Sequence, residues 1–180
     1  MFVPSILLFA MGLLGATDIV LFHVRAHGLR DRPESRAELV THFLRGPTYC
    51  ALFLAVPNFD LAGGWYAALL ALLAFDVGIS IVDFWLEPAS RREAGGLPRG
   101  EYVLHVVLAM LFGALVATVL SGGAERFGRS TSIQWIPMGT GEVPTLLRVA
   151  LMAMAPAVLF TGLLDLRAVL RLGRVPAHSP

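Results

Sequence analysis

Apolar runs of about 20 residues or more recur along the chain, each bounded by Gly, Pro or Arg clusters, and about 20 apolar residues is the length an α-helix needs to cross a bilayer. We place helices at roughly 4–27, 35–56, 63–87, 98–120 and 144–170. Over half the residues are apolar and 15% are charged, a balance that a soluble domain of this length does not need. Residues 1–180 therefore read as one all-α transmembrane domain, a polytopic membrane protein built as a four-helix bundle plus a fifth packing helix, with an external loop at 121–143. The first run, from Pro4 to about Phe22, resembles a signal peptide in length. It lacks a basic leader and continues through Asp18 and His23, so it reads as a retained helix. A single cysteine, Cys50, rules out an intramolecular disulfide framework. The net charge of +1 gives no reason to expect a nucleic-acid partner, and all fourteen basic side chains are arginine, which fits a GC-rich genome better than a binding surface.

The helix ends carry punctuation. Gly28 sits where a C′ glycine belongs. Ser35 and Glu38 have capping-box spacing for the second helix. Pro57 is expected to stop the second helix and Pro88 to stop the third at Glu87. Pro98 and Pro144 occupy N1-type positions, and Pro156 is expected to kink the fifth helix. Alternating the spans puts loops 28–34 and 88–97 and the C-terminal tail on one side. Eleven arginines lie on that side or its helix ends, against three (Arg126, Arg129 and Arg148) opposite. The positive-inside rule then makes the arginine-rich face cytoplasmic in a bacterial inner membrane, with the N-terminus outside and the C-terminus cytoplasmic. Trp65, Tyr66 and Trp85 read as interfacial belt residues, and Trp135 with Ile136 as dipping into the interface.

The ionisable residues make a pattern on this scaffold. Glu38 and His42 form E-x-x-x-H on the second helix, and Glu101 and His105 repeat it on the fourth. The first helix ends in His23 and His27, the third in Asp83 and Glu87. Each pair is spaced i,i+4 and shares one helix face. His27, Glu38, Glu87 and Glu101 lie at one level; His23, His42, Asp83 and His105 lie about 6 Å deeper at 1.5 Å rise per residue. Two hairpins repeat the arrangement, "HVRAHGLRDRPESRAELVTH" and "DFWLEPASRREAGGLPRGEYVLH".

Charged and imidazole side chains in lipid are costly, so they turn inward and pair or bind something. Carboxylates mixed with imidazoles suit iron, manganese or zinc. Inward Glu and His pairs on facing helices are the general design of di-metal carboxylate bundles, although the spacing here is one residue longer than their E-x-x-H and His23 replaces an expected carboxylate. We therefore expect two metal ions, iron first, held by His23, His27, Glu38, His42, Asp83, Glu87, Glu101 and His105. Several of these also have a plainer reading. Glu38 alone suits the capping box, Glu101 suits a helix N-terminus, His27 and Glu87 sit at the boundary, and Glu87 or Glu93 can pair with Arg91 or Arg92.

The third helix continues inward as Asp76, Ser80 and Asp83, and the second as Arg45 and Tyr49. These stripes suit a proton path or a pocket, with a plain Tyr49–Asp76 hydrogen bond as the alternative. Asp18 faces about 140° from His23 on an α-helix, at 3.6 residues per turn. That makes it a poor ligand and a neighbour of Asp76. Asp165 and Arg167 are read as interface anchors or second-rank supports.

The expectation is a membrane metalloenzyme, an iron-dependent oxidoreductase acting on a lipid, quinol or other hydrophobic substrate. Alternatives are a zinc hydrolase using the same ligands, a bis-His haem electron-transfer protein, or a transporter or accessory subunit, as a homodimer or within a complex.

Overall fold

The computed structural model describes residues 1–174, so the C-terminal tail beyond Arg174 lies outside the described residues. The protein is all-α in its spans. Five helical stretches, Phe2–Ala26, Pro33–Asn58, Gly64–Ser90, Arg99–Ser121 and Thr145–Leu172, are long and apolar enough to cross a membrane. We label the elements α1 (Phe2–Asp18, continued without a break by a π-helical turn at Ile19–Ala26), α2 (Arg36–Asn58), β1 (Phe59–Ala62), α3 (Gly64–Ser90), α4 (Arg99–Ser121), α5 (Gly123–Gly128), β2 (Ser132–Trp135) and α6 (Thr145–Leu172).

Packing departs from a simple ring of neighbours. The closest pairing is α2 with α6, while α1 packs on α4 and α3 on α2. The α2–α6 crossing depends on two glycines: a Cβ on Gly46 would stand 3.1 Å from the Gly162 Cα, and the reverse is also true. Small residues at the crossing let the backbones approach, as helix association in lipid requires. The core, with Leu8, Leu52, Phe53, Leu73, Leu115 and Leu151 at its centre, fills the half of the bundle away from the arginine-rich end.

Several end signals act differently from their sequence reading. Helix α3 runs through Pro88 to Ser90. The Arg91 N–H donates to the Glu87 carbonyl at 3.0 Å and closes the last turn in spite of the proline. Pro98 and Pro144 are N-caps, one residue earlier than expected, and α2 passes Pro57 to end at Asn58. The Ser35–Glu38 capping box does not form. Ser35 caps α2 by position only; its hydroxyl instead accepts from Ser90 Oγ at 2.9 Å. Gly28 does take the left-handed conformation expected of it, at φ 57°.

The loop at 121–143 is more ordered than its polar, Gly-rich sequence suggests. β2 pairs antiparallel with β1, Phe59 opposite Trp135 and Ala62 opposite Ser132. Asp60 accepts from Arg126 (2.7 Å) and Arg129 (2.6 Å). The Arg129 hydrogen bond, seconded by the Arg126 charge, holds its carboxyl below the usual range. Buried Arg148 donates to Asn58 Oδ1 and to the carbonyls of Ile136 and Pro137, and lies over the Trp135 ring. Tyr66, read as a belt residue, is fully buried and donates to the Val119 carbonyl at 2.6 Å. Trp65 and Trp85 are exposed as expected.

Candidate metal centre

The eight residues singled out by depth converge at the arginine-rich end, but their two levels are organised differently. At the outer level stands a guanidinium. Arg91, with 0% of its surface exposed, donates to Glu38 Oε2 at 2.6 Å and to Glu101 Oε1 at 2.6 and 3.2 Å. Glu87 Oε1 lies 3.8 Å away. Burial by itself would lower the Arg91 pKa; its hydrogen bonds and charge contacts with Glu101 and Glu38 outweigh that and hold it above the ordinary arginine value. Glycines at 95 and 96, both at φ 91°, fold the following loop back so that Ala94 and Gly96 donate to the Arg91 carbonyl. Both ends of the residue are thereby anchored. His27 is buried and bonded through Nε2 to Glu101 Oε2 at 2.8 Å, so both oxygens of Glu101 are engaged. The outer carboxyls therefore already face a cation that the chain supplies.

The inner level is filled differently, its guanidinium, Arg45, engaging Asp83 alone among His23, His42, Asp83 and His105. His23 and His42 stack in parallel, centroids 4.6 Å apart. Asp83 is held by hydrogen bonds from Thr41 Oγ1 and from Arg45 Nη1 (2.8 Å), so its lone pairs are largely committed. His42 Nε2 stands 3.6 Å from both Glu38 Oε1 and Asp83 Oδ1.

Asp18 corrects the sequence reading. Its Oδ2 lies 3.1 Å from His23 Nε2 and 3.2 Å from His105 Nε2. The cause is the π-helical stretch that follows it. With i→i+5 hydrogen bonding the turn widens, so residues five apart come back towards the same face and most of the 140° offset of an α-helix closes. Asp18 is accordingly beside His105 and not beside Asp76. Asp76 accepts instead from Tyr49 at 3.0 Å, which matches the plainer reading of that pair. Asp165 pairs with Arg30 at 2.6 Å.

Two groups bring one ligand atom per residue within 4.8 Å of one another: Asp18, His23, Glu101 and His105; and His23, Glu38 and His42. Ligands about 2.0–2.2 Å from an ion stand roughly 3–3.6 Å apart in tetrahedral geometry, and the Asp18–His23 and Asp18–His105 separations fall in that range. Hydrogen bonding accounts for part of this arrangement: His105 Nε2 bonds to Asp18 Oδ2 at 3.2 Å and His105 Nδ1 lies 2.9 Å from Glu87 Oε1. His23 Nε2 and Asp18 Oδ1 are buried without a hydrogen-bond partner among the described residues. Buried polar atoms are rarely left so.

A cavity of about 430 Å³ opens directly onto this level, lined by Asp18, His23, His42 and His105 and continued by Arg45, Tyr49 and Ser80. A smaller one, about 100 Å³, reaches His23 and His42 from the loop side past Gly28 and Arg30. The fifth long helix, α6, contributes Asp165 to both walls, so it shapes the approaches to the site besides packing. The fold and these residues define a helical membrane bundle with a histidine–carboxylate centre. No family model matches the chain, no curated protein is significantly similar to it, and no solved structure matches it.

Proposed function

We propose that this protein is an integral membrane metalloenzyme, an oxidoreductase that acts on a hydrophobic substrate in the cavity beside its metal centre. The observation that carries the reading is the convergence of Asp18, His23 and His105, with His23 Nε2 and Asp18 Oδ1 buried and without a hydrogen-bond partner among the described residues. Two histidines and one carboxylate with open positions are the donor set of non-haem iron(II) oxygen chemistry. Iron is therefore the proposed ion, with His42 and Glu38 offering a position for a second and His23 available to either.

Iron so held would supply electron transfer to dioxygen; two electrons and two protons would leave the substrate, and half a dioxygen would take them up as water. The chain's own residues do the rest. Asp18, His23 and His105 bind the ion. His27 and Arg91 fix Glu101 behind them. Arg91 also balances Glu101 and one oxygen of Glu38, leaving Glu38 Oε1 facing His42. Tyr49, donating to Asp76 Oδ2, provides a proton-bearing group near the cavity. A porphyrin between His23 and His105 is disfavoured, because Asp18 Oδ2 lies within 3.2 Å of both Nε2 atoms, where the ring would have to pass. The eleven-to-three arginine asymmetry supports a bacterial inner-membrane protein with the centre at its cytoplasmic end.

Elemental analysis and an absorption spectrum of the protein purified after iron(II) loading test this proposal. We expect one to two irons per chain, no Soret band, and loss of iron in His23→Gln and His105→Gln. An iron-free protein, or unchanged iron in the double variant, refutes the centre. Stoichiometric zinc that iron does not displace favours the hydrolase reading over the oxidoreductase.

A further inference from the structure

The cavity beside the centre changes character along its length. Its 430 Å³ falls among small-molecule sites. At the arginine-rich end the wall is histidine and carboxylate; a turn or two deeper it is Arg45, Tyr49 and Ser80; the far end is Met11, Phe53, Leu108, Phe112 and Met154. On two sides its lining is itself exposed: Ala16 and Val20 of the first span with Ala157 on α6, and Ile81 and Phe84 on α3 with Ala109 on α4. These residues belong to spans, so both sides face lipid acyl chains.

The polar end selects a head group by charge. Six carboxyl groups (Asp18, Glu38, Asp76, Asp83, Glu87 and Glu101) gather there around two guanidiniums, Arg45 and Arg91. One divalent ion would offset half of that excess and a second would cancel it, so with both positions filled a charged head of either sign gains no net Coulomb energy for the water it gives up. It selects by hydrogen bonding as well. At the cavity wall Tyr49 Oη, its proton given to Asp76 Oδ2, can accept, and Ser80 Oγ, which accepts from Arg45 Nη2 at 2.7 Å, can donate. A hydroxyl can donate to the first and accept from the second. A carboxylate or an ammonium can do only one of these.

From this geometry we propose that the cavity binds an amphiphile with a neutral, hydroxyl-bearing head group and a long apolar tail, the head at Arg45, Tyr49 and Ser80 and the tail leaving sideways into the bilayer. The proposal deepens the metalloenzyme reading, on which it rests for the charge of the polar end and the fate of the head group, and not for the hydrogen bonds.

The test uses the full chain in phosphatidylcholine nanodiscs, iron-loaded and iron-stripped, without oxygen. Equilibrium dialysis measures a decyl-chain hydroquinone, dodecanol, dodecanoate and dodecylamine, with iron content recorded on the same samples. In the iron-loaded chain we expect saturable binding of a hydroxyl probe at least about tenfold tighter than either charged one, the scale of one hydrogen bond to a charged group. Which hydroxyl probe wins separates a quinol from an aliphatic alcohol source. Arg45→Met removes the donor to Ser80 Oγ and should weaken it by about tenfold on the same reasoning, and Ala109→Trp should occlude the cavity while iron content holds. Equal or tighter binding of dodecanoate or dodecylamine to the iron-loaded chain overturns the proposal, and so does the absence of saturable hydroxyl-probe binding. Loss of iron with probe binding intact overturns the metal centre alone.

Discussion

Arg91→Met removes the one cation between Glu38 and Glu101 and replaces it with an apolar side chain. The guanidinium is fully buried, and each of its two short ion pairs measures 2.6 Å, so solvent screening does little to soften the loss. Breaking a buried pair by removing one partner costs about 3–5 kcal/mol, because the remaining charge stays desolvated. For a chain of this size each kcal/mol moves the unfolding midpoint by roughly 2–4 °C, which predicts a drop of about 6–20 °C. The assay is thermal unfolding in detergent, read by a thiol-reactive dye at Cys50. This is the only cysteine and is half-buried in α2. Arg92→Met is the control, since Arg92 is exposed and a surface change of this kind stays within about 0.5 kcal/mol. Arg91→Lys should fall between, because an ammonium cannot reproduce the fork that spans both carboxyls. If Arg91→Met melts with Arg92→Met, the outer level is not held by this residue and the account of it is wrong.

Other perturbations probe separate parts of the molecule. Gly46→Leu should disrupt the α2–α6 crossing and cost more than about 3 kcal/mol, the upper end for overpacking. Gly113→Leu, where a Cβ meets nothing within 4 Å, should be nearly neutral by the same dye assay; equal losses would contradict the crossing. Tyr66→Phe strands the Val119 carbonyl and should cost about 1–2 kcal/mol in midpoint terms, with no loss if the tyrosine is merely an interfacial anchor. The Asp60 contribution has a definite pH sign. Its pKa is depressed in the fold, so stabilisation of the β1–β2 loop is complete above the ordinary carboxylate value of about 4 and disappears as pH falls through the depressed one. Asp60→Asn should therefore release the loop even at pH 8, seen as faster tryptic cleavage after Arg126 and Arg129; unchanged cleavage refutes the pairing.

The spans were legible because apolar length is a strong signal that tertiary context seldom overrides, and the depth of His23, His42, Glu38, Glu101 and His105 followed from them directly. What the pattern concealed was partnership. The sequence offers Arg91 as a partner for Glu87, but Glu38 and Glu101 lie on other helices, and nothing in the spacing joins them to it; the loop at Gly95 and Gly96 anchors its carbonyl. Angular reasoning at 3.6 residues per turn excludes Asp18 because it assumes that every apolar helix is an α-helix; the acid five residues before a histidine is the available clue. For Tyr66, a tyrosine near a span end fits a belt and a buried carbonyl partner equally well. The strands at 59–62 and 132–135 each hold four residues and pair across a long sequence separation, so neither carries a hairpin signal. The capping box failed for a different reason: Glu38 gains more from the buried Arg91 than from a backbone N–H.

The π-helical stretch after Asp18 has a consequence for what changes in chain length the site tolerates. One residue too many occupies the turn between Asp18 and His23, and the helix absorbs it by widening. Deleting a single residue from 19–22 would let that stretch wind as an ordinary α-helix, with the aspartate and the histidine four apart and still facing each other. Adding a residue would separate them. Loops absorb length changes of either sign, but here shortening relaxes the backbone while lengthening parts Asp18 from His23, so the spacing of these two side chains is as much a specification as their identity.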